Sequence, residues 1–225
     1  RYAKNYLRCV KGVDESLGRL RETLKELKLD DNTVVIYSSD QGFYIGDHGW
    51  YDKRWMYEES LMMPFIVSWP GVTTPGSRDQ HLIQNLDYAE TFLDIAGANI
   101  PGDMQGVSLV PLLKGEEPKI WRKSIYYHYY EYPSYHMVPR HCGIRTERYK
   151  LMHFYRFGNE WEMYDLKTDP EELTNIYGRK GTAKLTADLK QQLVALQKHY
   201  GDNSDFSEMP QEWQDKMRPG TAKKK

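Results

Sequence analysis

Cysteine is scarce, neither sign of charge is in surplus, and long apolar runs are missing. Only 2 of the 225 residues are cysteine. Cys9 and Cys142 give no spaced framework of the kind a disulfide-stapled domain needs, so both are expected as small buried hydrophobes rather than as a bridge. Lysine and arginine number 31 against 32 aspartates and glutamates, a net charge of −1. That balance provides no overall field to draw nucleic acid or a membrane surface, so neither is an expected partner, and any anionic ligand has to be held by local cations. No apolar stretch approaches the roughly 18 residues a membrane-spanning helix needs, and no secretory leader pattern opens the chain. The first residue, Arg1, already lies inside a helical pattern, from which we expect a part of the protein upstream.

What is present suffices for one large domain or two small ones, with 40% hydrophobic and 13% aromatic residues. Leu7, Val10, Val13, Leu17, Leu20, Leu24 and Leu27 recur at steps of three and four, which predicts an amphipathic helix laid on a sheet, with Glu15 and Arg19 paired on its wet face. A β-branched and aromatic run over residues 33–39 follows and reads as a buried parallel strand that ends at Asp40. In open α/β sheets ligands sit beyond the carboxyl ends of strands, so Asp40 and Gln41 point to a site there. Their side-chain oxygens are hard donors, suited to calcium or magnesium rather than to a soft metal, yet a shell of about six oxygens cannot be filled by two residues. Gly42, Gly46 and Gly49 let a loop fold back and return Asp47, His48, Asp52, Lys53 and Arg54, offering cations to an anion. A polar turn after a core strand accounts for the same residues, and spacing alone leaves both readings open.

Several motifs then fall in order: Ser39-Asp-Gln-Gly42, Gly46-Asp-His-Gly49, Asp52-Lys-Arg54, Tyr57-Glu-Glu-Ser-Leu61, and Pro64-Phe-Ile-Val-Ser-Trp-Pro-Gly71. Together they resemble the second conserved block of the formylglycine-dependent sulfatases, within the alkaline phosphatase superfamily. The resemblance implies that Asp40 and Gln41 complete a calcium site and that Lys53 contacts the sulfate and its bridging oxygen. His48 would stand behind the residues that touch ligand. Asp52 and Arg54, flanking Lys53, are candidates for holding sugar hydroxyls.

Farther along, residues 55–61 read as a short helix in which one of Glu58 and Glu59 is solvated and the other braces the loop cations. Residues 64–69 read as a second buried strand stopped by Pro70-Gly71. Ile83, Leu86, Ala89, Phe92, Leu93 and Ala96 mark another helical face, behind a surface or capping His81, and residues 106–113 read as scaffold. From Ser124 aromatic and polar residues alternate, Thr146-Glu-Arg148 reads as a tight connection between antiparallel strands, and residues 161–166 as a further strand. An aspartate turn at Asp169 and a helix over 182–200 with Leu185, Leu189, Leu193 and Leu196 on one face complete a small α+β subdomain. Residues 222–225 read as a frayed tail. The order of strand, hairpin, Tyr-Asp-Leu-x-x-Asp-Pro-x-Glu and helix again resembles the sulfatases. The expected fold is therefore α/β: residues 1–120 as part of a doubly wound sulfatase-type sheet, and 121–225 as the subdomain with an antiparallel sheet and a C-terminal helix.

Ten rings and donors crowd into Tyr126, Tyr127, His128, Tyr129, Tyr130, Tyr132, Tyr135, His136, Arg140 and His141. A sheet face with a polar loop explains them, and so does a carbohydrate subsite, because aromatic faces and planar cations fit sugars. By resemblance, His136 and His141 lie on a loop over the active site and contact sugar or sulfate.

The family's nucleophile, a formylglycine matured within Cys/Ser-x-Pro-x-Arg, is absent from these residues: Cys9 precedes Val-Lys-Gly, Cys142 precedes Gly-Ile-Arg, and Ser68-Trp-Pro-Gly-Val72 ends in valine. The paired aspartates of the first metal block are also absent. The chain is thus expected to be roughly the C-terminal half of a sulfatase, inactive alone, whose partner is the missing N-terminal half. Its expected substrate is a sulfated carbohydrate such as N-acetylglucosamine-6-sulfate in glycosaminoglycans, with the leaving oxygen protonated by Lys53 or a histidine elsewhere. The resemblance implies a secreted, periplasmic or lysosomal protein. A phosphoester or phosphonate hydrolase of the same superfamily, or a noncatalytic carbohydrate-binding fragment, are the other readings these residues allow.

Overall fold

The structure, a computed structural model, describes residues 1–132, 134–155 and 159–204. The tail expected at 222–225 lies outside them. In chain order the elements are α1 (Tyr2–Glu26), β1 (Val35–Ser38), β2 (Tyr44–Ile45), β3 (Tyr51–Asp52), α2 (Glu58–Leu61), β4 (Phe65–Ser68), α3 (Asp87–Ile95), α4 (Val110–Leu113), β5 (Ser124–Tyr129), β6 (His141–Thr146), β7 (Tyr149–Phe154), β8 (Glu160–Asp165) and α5 (Ala183–His199). They form two units: Arg1–Tyr51 with Met63–Trp121, and Asp52–Met62 with Arg122–Lys225. Among the described residues no helix is long and apolar enough to cross a membrane.

In the first unit, α1 forms where the leucine spacing places it but buries none of its residues, so it is not laid on a sheet. Leu7 and Leu20 are 63% and 53% exposed. Glu15 pairs with Lys11 at 3.1 Å and Arg19 with the Ser16 hydroxyl at 2.7 Å, in place of the expected Glu15–Arg19 pair. β1 pairs with β4 in antiparallel register, Val35 opposite Ser68 and Ser38 opposite Phe65, and is half-buried rather than a buried parallel strand. An apolar run records how a strand is covered; the path of the chain back to it sets its direction, which periodicity does not report. β4 alternates half-buried and exposed residues, so it is not fully buried either. Cys9 is exposed, against expectation, whereas Cys142 is buried, and both are free.

Helix α3 inverts its expected face. Its buried residues are Asp87, Glu90 and Thr91, while Phe92 is exposed. The cause lies in residues 106–109, which have no strand partner and yet must satisfy their backbone donors. Gly106 N–H donates to Glu90 Oε1 at 2.5 Å, Val107 N–H to Asp87 Oδ1 at 2.9 Å, and Leu109 N–H to Thr91 Oγ1 at 2.8 Å. A side chain at Gly106 would collide with the Glu90 carboxylate and the Leu86 carbonyl, so glycine is required there.

The second unit is built on a four-stranded meander in the order β5-β6-β7-β8. The β6–β7 hairpin turns at Glu147 and Arg148, as the sequence predicts, and pairs His141 with Phe154 and Arg145 with Lys150. Pleating sorts alternate residues onto two faces. One carries Cys142, Ile144, Leu151 and Met163, which pack with Leu189 and Leu193 of α5 as the core, Leu185 and Leu196 joining at its edge. Fully burying each of these leucines contributes about 1.5–3 kcal/mol. The other face carries Tyr127, Tyr129, His141, Gly143, Arg145, Lys150, Met152, Phe154 and Glu162, set side by side by the register. The outer edge of β8 is covered: Ile176 N–H donates to Met163 O at 2.8 Å and Asn175 to Trp161 O at 3.2 Å.

Candidate active site

The predicted site residues fall into both units, and each group has its own geometry. In the first, Asp40 follows β1 and is exposed, its Oδ1 accepting the Gln41 N–H at 3.0 Å. Ser39 Oγ donates to the Gln41 carbonyl at 2.8 Å, and Asn85 donates to the Asp40 carbonyl at 3.3 Å, which fixes the turn from backbone and side chain together. His48 sits in a short 3-10 turn, Asp47–Gly49, with a left-handed backbone (φ 52°), edge-on to the Tyr44 ring at 6.3 Å. Gly46 N–H donates to Trp50 O at 2.9 Å, closing the glycine loop.

Asp40 and Gln41 fit a hard cation in type but not in number. Among the described residues no group of three His, Cys, Asp or Glu side chains converges on one point. Two oxygen side chains would hold part of a calcium shell, and the rest would have to be supplied from outside them.

In the second unit, Asp52 is gripped from two sides. Arg54 Nη1 binds its Oδ2, and His136 Nδ1 lies 3.4 Å from the same oxygen. Asp52 adopts φ 105°, a region that side chains rarely enter. Lys53 between them is half-buried, and its ammonium makes no ion pair among the described residues. Its carbonyl accepts the buried Ser60 hydroxyl at 2.5 Å, and the Arg54 carbonyl accepts the Tyr127 hydroxyl at 3.2 Å. The backbone around Lys53 is thereby pinned.

His136 is exposed and lies between β5 and β6 in the chain. His141 does not: it opens β6 and is fully buried, because its place in the register faces Trp55 (ring centroids 5.8 Å apart), Tyr129 (5.4 Å) and Phe154 (5.2 Å). Burial pulls its pKa down to about 4, against a smaller opposing pull from the Pro139 carbonyl that its Nδ1 meets at 2.8 Å. Nε2 finds no hydrogen-bond partner among the described residues.

The tyrosine-rich cluster divides. Tyr127 and Tyr129 frame His141, whereas Tyr126, His128 and Tyr130 turn to Asp202, which lies beyond α5. Asp202 Oδ2 takes Tyr126 OH at 2.5 Å, His128 Nδ1 at 2.6 Å and Tyr130 OH at 3.1 Å. Burial raises the Asp202 pKa, but the bonds from Ser204, Tyr126 and His128 outweigh it and hold the carboxylate low. Sequence reasoning left Asp202 out, since nothing local marks a residue 74 positions away from its partner His128.

Helix α2 spans only Glu58–Leu61, shorter than expected, and Glu58 braces the sheet cations Arg145 (3.0 Å) and Lys150 (2.8 Å) rather than those of the loop. Glu172, at the end of the Asp-Pro-x-Glu motif, was given no role, yet it is buried against Lys150 at 2.8 Å.

Comparison with known proteins places this geometry in context. Residues 46–199 match the family described as N-sulphoglucosamine sulphohydrolase, C-terminal. Over 204 residues, 90% of this chain and 37% of the relative, the sequence is 50% identical to an N-acetylglucosamine-6-O-sulfatase of Bacteroides thetaiotaomicron. A solved protein in complex with its substrate D-glucosamine-2-N,6-O-disulfate superposes with a TM-score of 0.85 at 49% identity, covering 89% of this chain and 41% of that one. A phosphonate monoester hydrolase of Agrobacterium radiobacter matches at 28% identity and a TM-score of 0.74, over 83% of this chain and 39% of that one. The chain thus spans about two fifths of the proteins it matches. With its antiparallel meander, C-terminal helix and ordered motifs, it belongs to the N-sulphoglucosamine sulphohydrolase C-terminal family of sulfatases.

Proposed function

We propose that these residues are the C-terminal part of a sulfatase that removes the 6-sulfate of N-acetylglucosamine units in glycosaminoglycans, residues 1–120 completing its α/β domain and 121–225 forming its subdomain. The observation that carries the reading is Asp52 held between Arg54 and His136, with Lys53, whose ammonium makes no ion pair among the described residues, next to it in the chain. A carboxylate beside planar donors suits sugar hydroxyls, and a lone ammonium suits a sulfate. Half-sequence identity to an N-acetylglucosamine-6-O-sulfatase, and the likeness to a protein whose substrate carries a 6-O-sulfate, support the same reading.

In this reading Lys53 neutralises charge that builds on the sulfuryl and bridging oxygens as the ester bond breaks, and the leaving alkoxide takes its proton from Lys53 or from a histidine outside these residues. Asp52, Arg54 and His136 orient the sugar ring. His141, fully buried against Trp55 and neutral because burial keeps its pKa low, backs the residues around Lys53. His48, within the glycine loop, stands behind the residues that touch ligand. Asp40 and Gln41 would contribute two of the ligands of a calcium ion, which with an upstream formylglycine supplies the charge neutralisation and the nucleophile that these residues lack. The protein then works in a secreted, periplasmic or lysosomal compartment, with the N-terminal half as its essential partner.

Calorimetric titration of calcium into the 225-residue chain should show weak binding or none, and tight binding at one site would contradict the shared metal shell. Comparing hydrolysis of 6-sulfated N-acetylglucosamine and a phosphonate monoester by the enzyme that unites both halves separates the readings. A preference for the phosphonate ester would favour the hydrolase likeness instead.

A further inference from the structure

Residues 54–58 are tied, one after another, to a single face of the β5–β8 meander. The Arg54 carbonyl takes the Tyr127 hydroxyl from β5 at 3.2 Å. Trp55 stacks on His141 of β6 at 5.8 Å, and Met56, fully buried, presses its sulfur where a side chain on Gly143 would stand, 2.5 Å from that Cβ position. Tyr57 OH donates to Glu162 of β8 at 2.8 Å. Glu58 reaches Arg145 of β6 at 3.0 Å and Lys150 of β7 at 2.8 Å. The last tie comes from outside the sheet: Glu172 Oε2 accepts the Glu58 N–H at 2.7 Å, while its Oε1 lies 2.8 Å from Lys150 Nζ, in ion-pair contact off the line of a hydrogen bond. Lys150 and Glu172 both have side chains with no exposure, and Glu172 holds a left-handed backbone, φ 51°, to reach this place.

We propose that Glu172 is a positioning residue for Lys53: its carboxylate fastens the first turn of α2 to Lys150 on the sheet, and the Ser60 hydroxyl on that helix in turn holds the Lys53 carbonyl. The Asp169-Pro-x-Glu172 turn delivers the carboxylate. Asp169 accepts the N–H groups of Leu173 at 3.1 Å and Thr174 at 2.8 Å, which fixes the turn so that Glu172 points inward. A buried carboxylate and ammonium are an expensive means of holding four helical residues unless the position of what precedes them matters. The part that concerns Lys53 rests on the proposed sulfatase reading; the fastening of the segment does not.

The decisive variant is Lys150→Met/Glu172→Leu, which removes the two fully buried charges together and leaves Glu58 paired with Arg145, yet abolishes the acceptor for the Glu58 N–H. Amide hydrogen exchange on the full 225-residue chain should accelerate about tenfold or more over residues 53–60, with β6 and β7 changed by about threefold at most. Glu172→Gln, which keeps an oxygen for that N–H, should retain the protection. No acceleration at 53–60 in the double variant, or an equal acceleration through β5–β8, overturns the proposal. In the enzyme uniting both halves, the double variant should lower kcat about tenfold or more with KM within about twofold, because a misplaced catalytic group is felt in the transition state. A wild-type kcat there overturns it as well. If instead Lys53→Ala leaves kcat unchanged, the proposed function falls while the exchange result still decides the fastening.

Discussion

Asp52 carries a contradiction at the scale of a single residue: a charged side chain on a backbone, φ 105°, where glycine is at ease. Such a conformation costs about 1–3 kcal/mol and persists only where its surroundings impose it. Arg54 and His136 impose it here by taking the same carboxylate oxygen. Asp52→Gly should therefore leave the melting temperature unchanged or raise it, while weakening binding of 6-sulfated N-acetylglucosamine by about tenfold or more. A fall of several degrees in melting temperature would show that the carboxylate holds the loop, not the ligand. His141 makes a pH prediction. Its folded pKa, about 4, lies below the ordinary value of 6.5, so between those values the unfolded chain binds the extra proton and stability falls as pH falls. The loss should approach about 1 kcal/mol for each pH unit across that window, and His141→Phe should flatten it in denaturation curves. Sequence marked the residue type well. It did not show that His141 starts a strand and faces inward, because one position of register separates a buried ring from an exposed one.

Elements were legible where they carried their own period. The β6–β7 hairpin, β8 and α5 stand within a residue or two of where alternation and leucine spacing place them. Where tertiary partners decide the matter, the sequence pattern misled. Helix α3 turned its acidic face inward because residues 106–109 needed acceptors, and α2 shortened because residues 54–57 are drawn out one by one onto the sheet. The close approach of Met56 to Gly143 yields a direct test. Gly143→Ala should cost about 1–3 kcal/mol of stability through overpacking, and because the added methyl would also stand 2.5 Å from the Leu151 carbonyl, a smaller residue at position 56 should recover only the Met56 part in a double-mutant cycle. Lys150→Met alone, which strands Glu172 as an unpaired buried charge, should cost about 3–5 kcal/mol, far more than the double replacement.

On the scale of the whole molecule, the composition announced a balanced, globular chain and the ordered motifs announced the family, whereas the return of residues 52–62 to the second unit was not written in any local pattern. Contacts between residues more than a hundred positions apart, such as Tyr57 with Glu162, leave no periodic trace. Helix α1 was read correctly as amphipathic and wrongly as covered. Since none of its residues is buried, Leu7→Lys/Leu20→Lys should change the stability of this chain by no more than about 0.5 kcal/mol in thermal denaturation. The central claim is that Lys53, placed by this segment, serves sulfate ester hydrolysis on a 6-sulfated sugar. The measurement that tests it most directly is sulfate release from 6-sulfated N-acetylglucosamine by the enzyme uniting both halves, with and without calcium, beside its Lys53→Ala variant. The account predicts calcium-dependent turnover in which Lys53→Ala lowers kcat by about a hundredfold or more. Turnover that is unchanged by Lys53→Ala, or no sulfate release from an enzyme carrying its formylglycine, would contradict it.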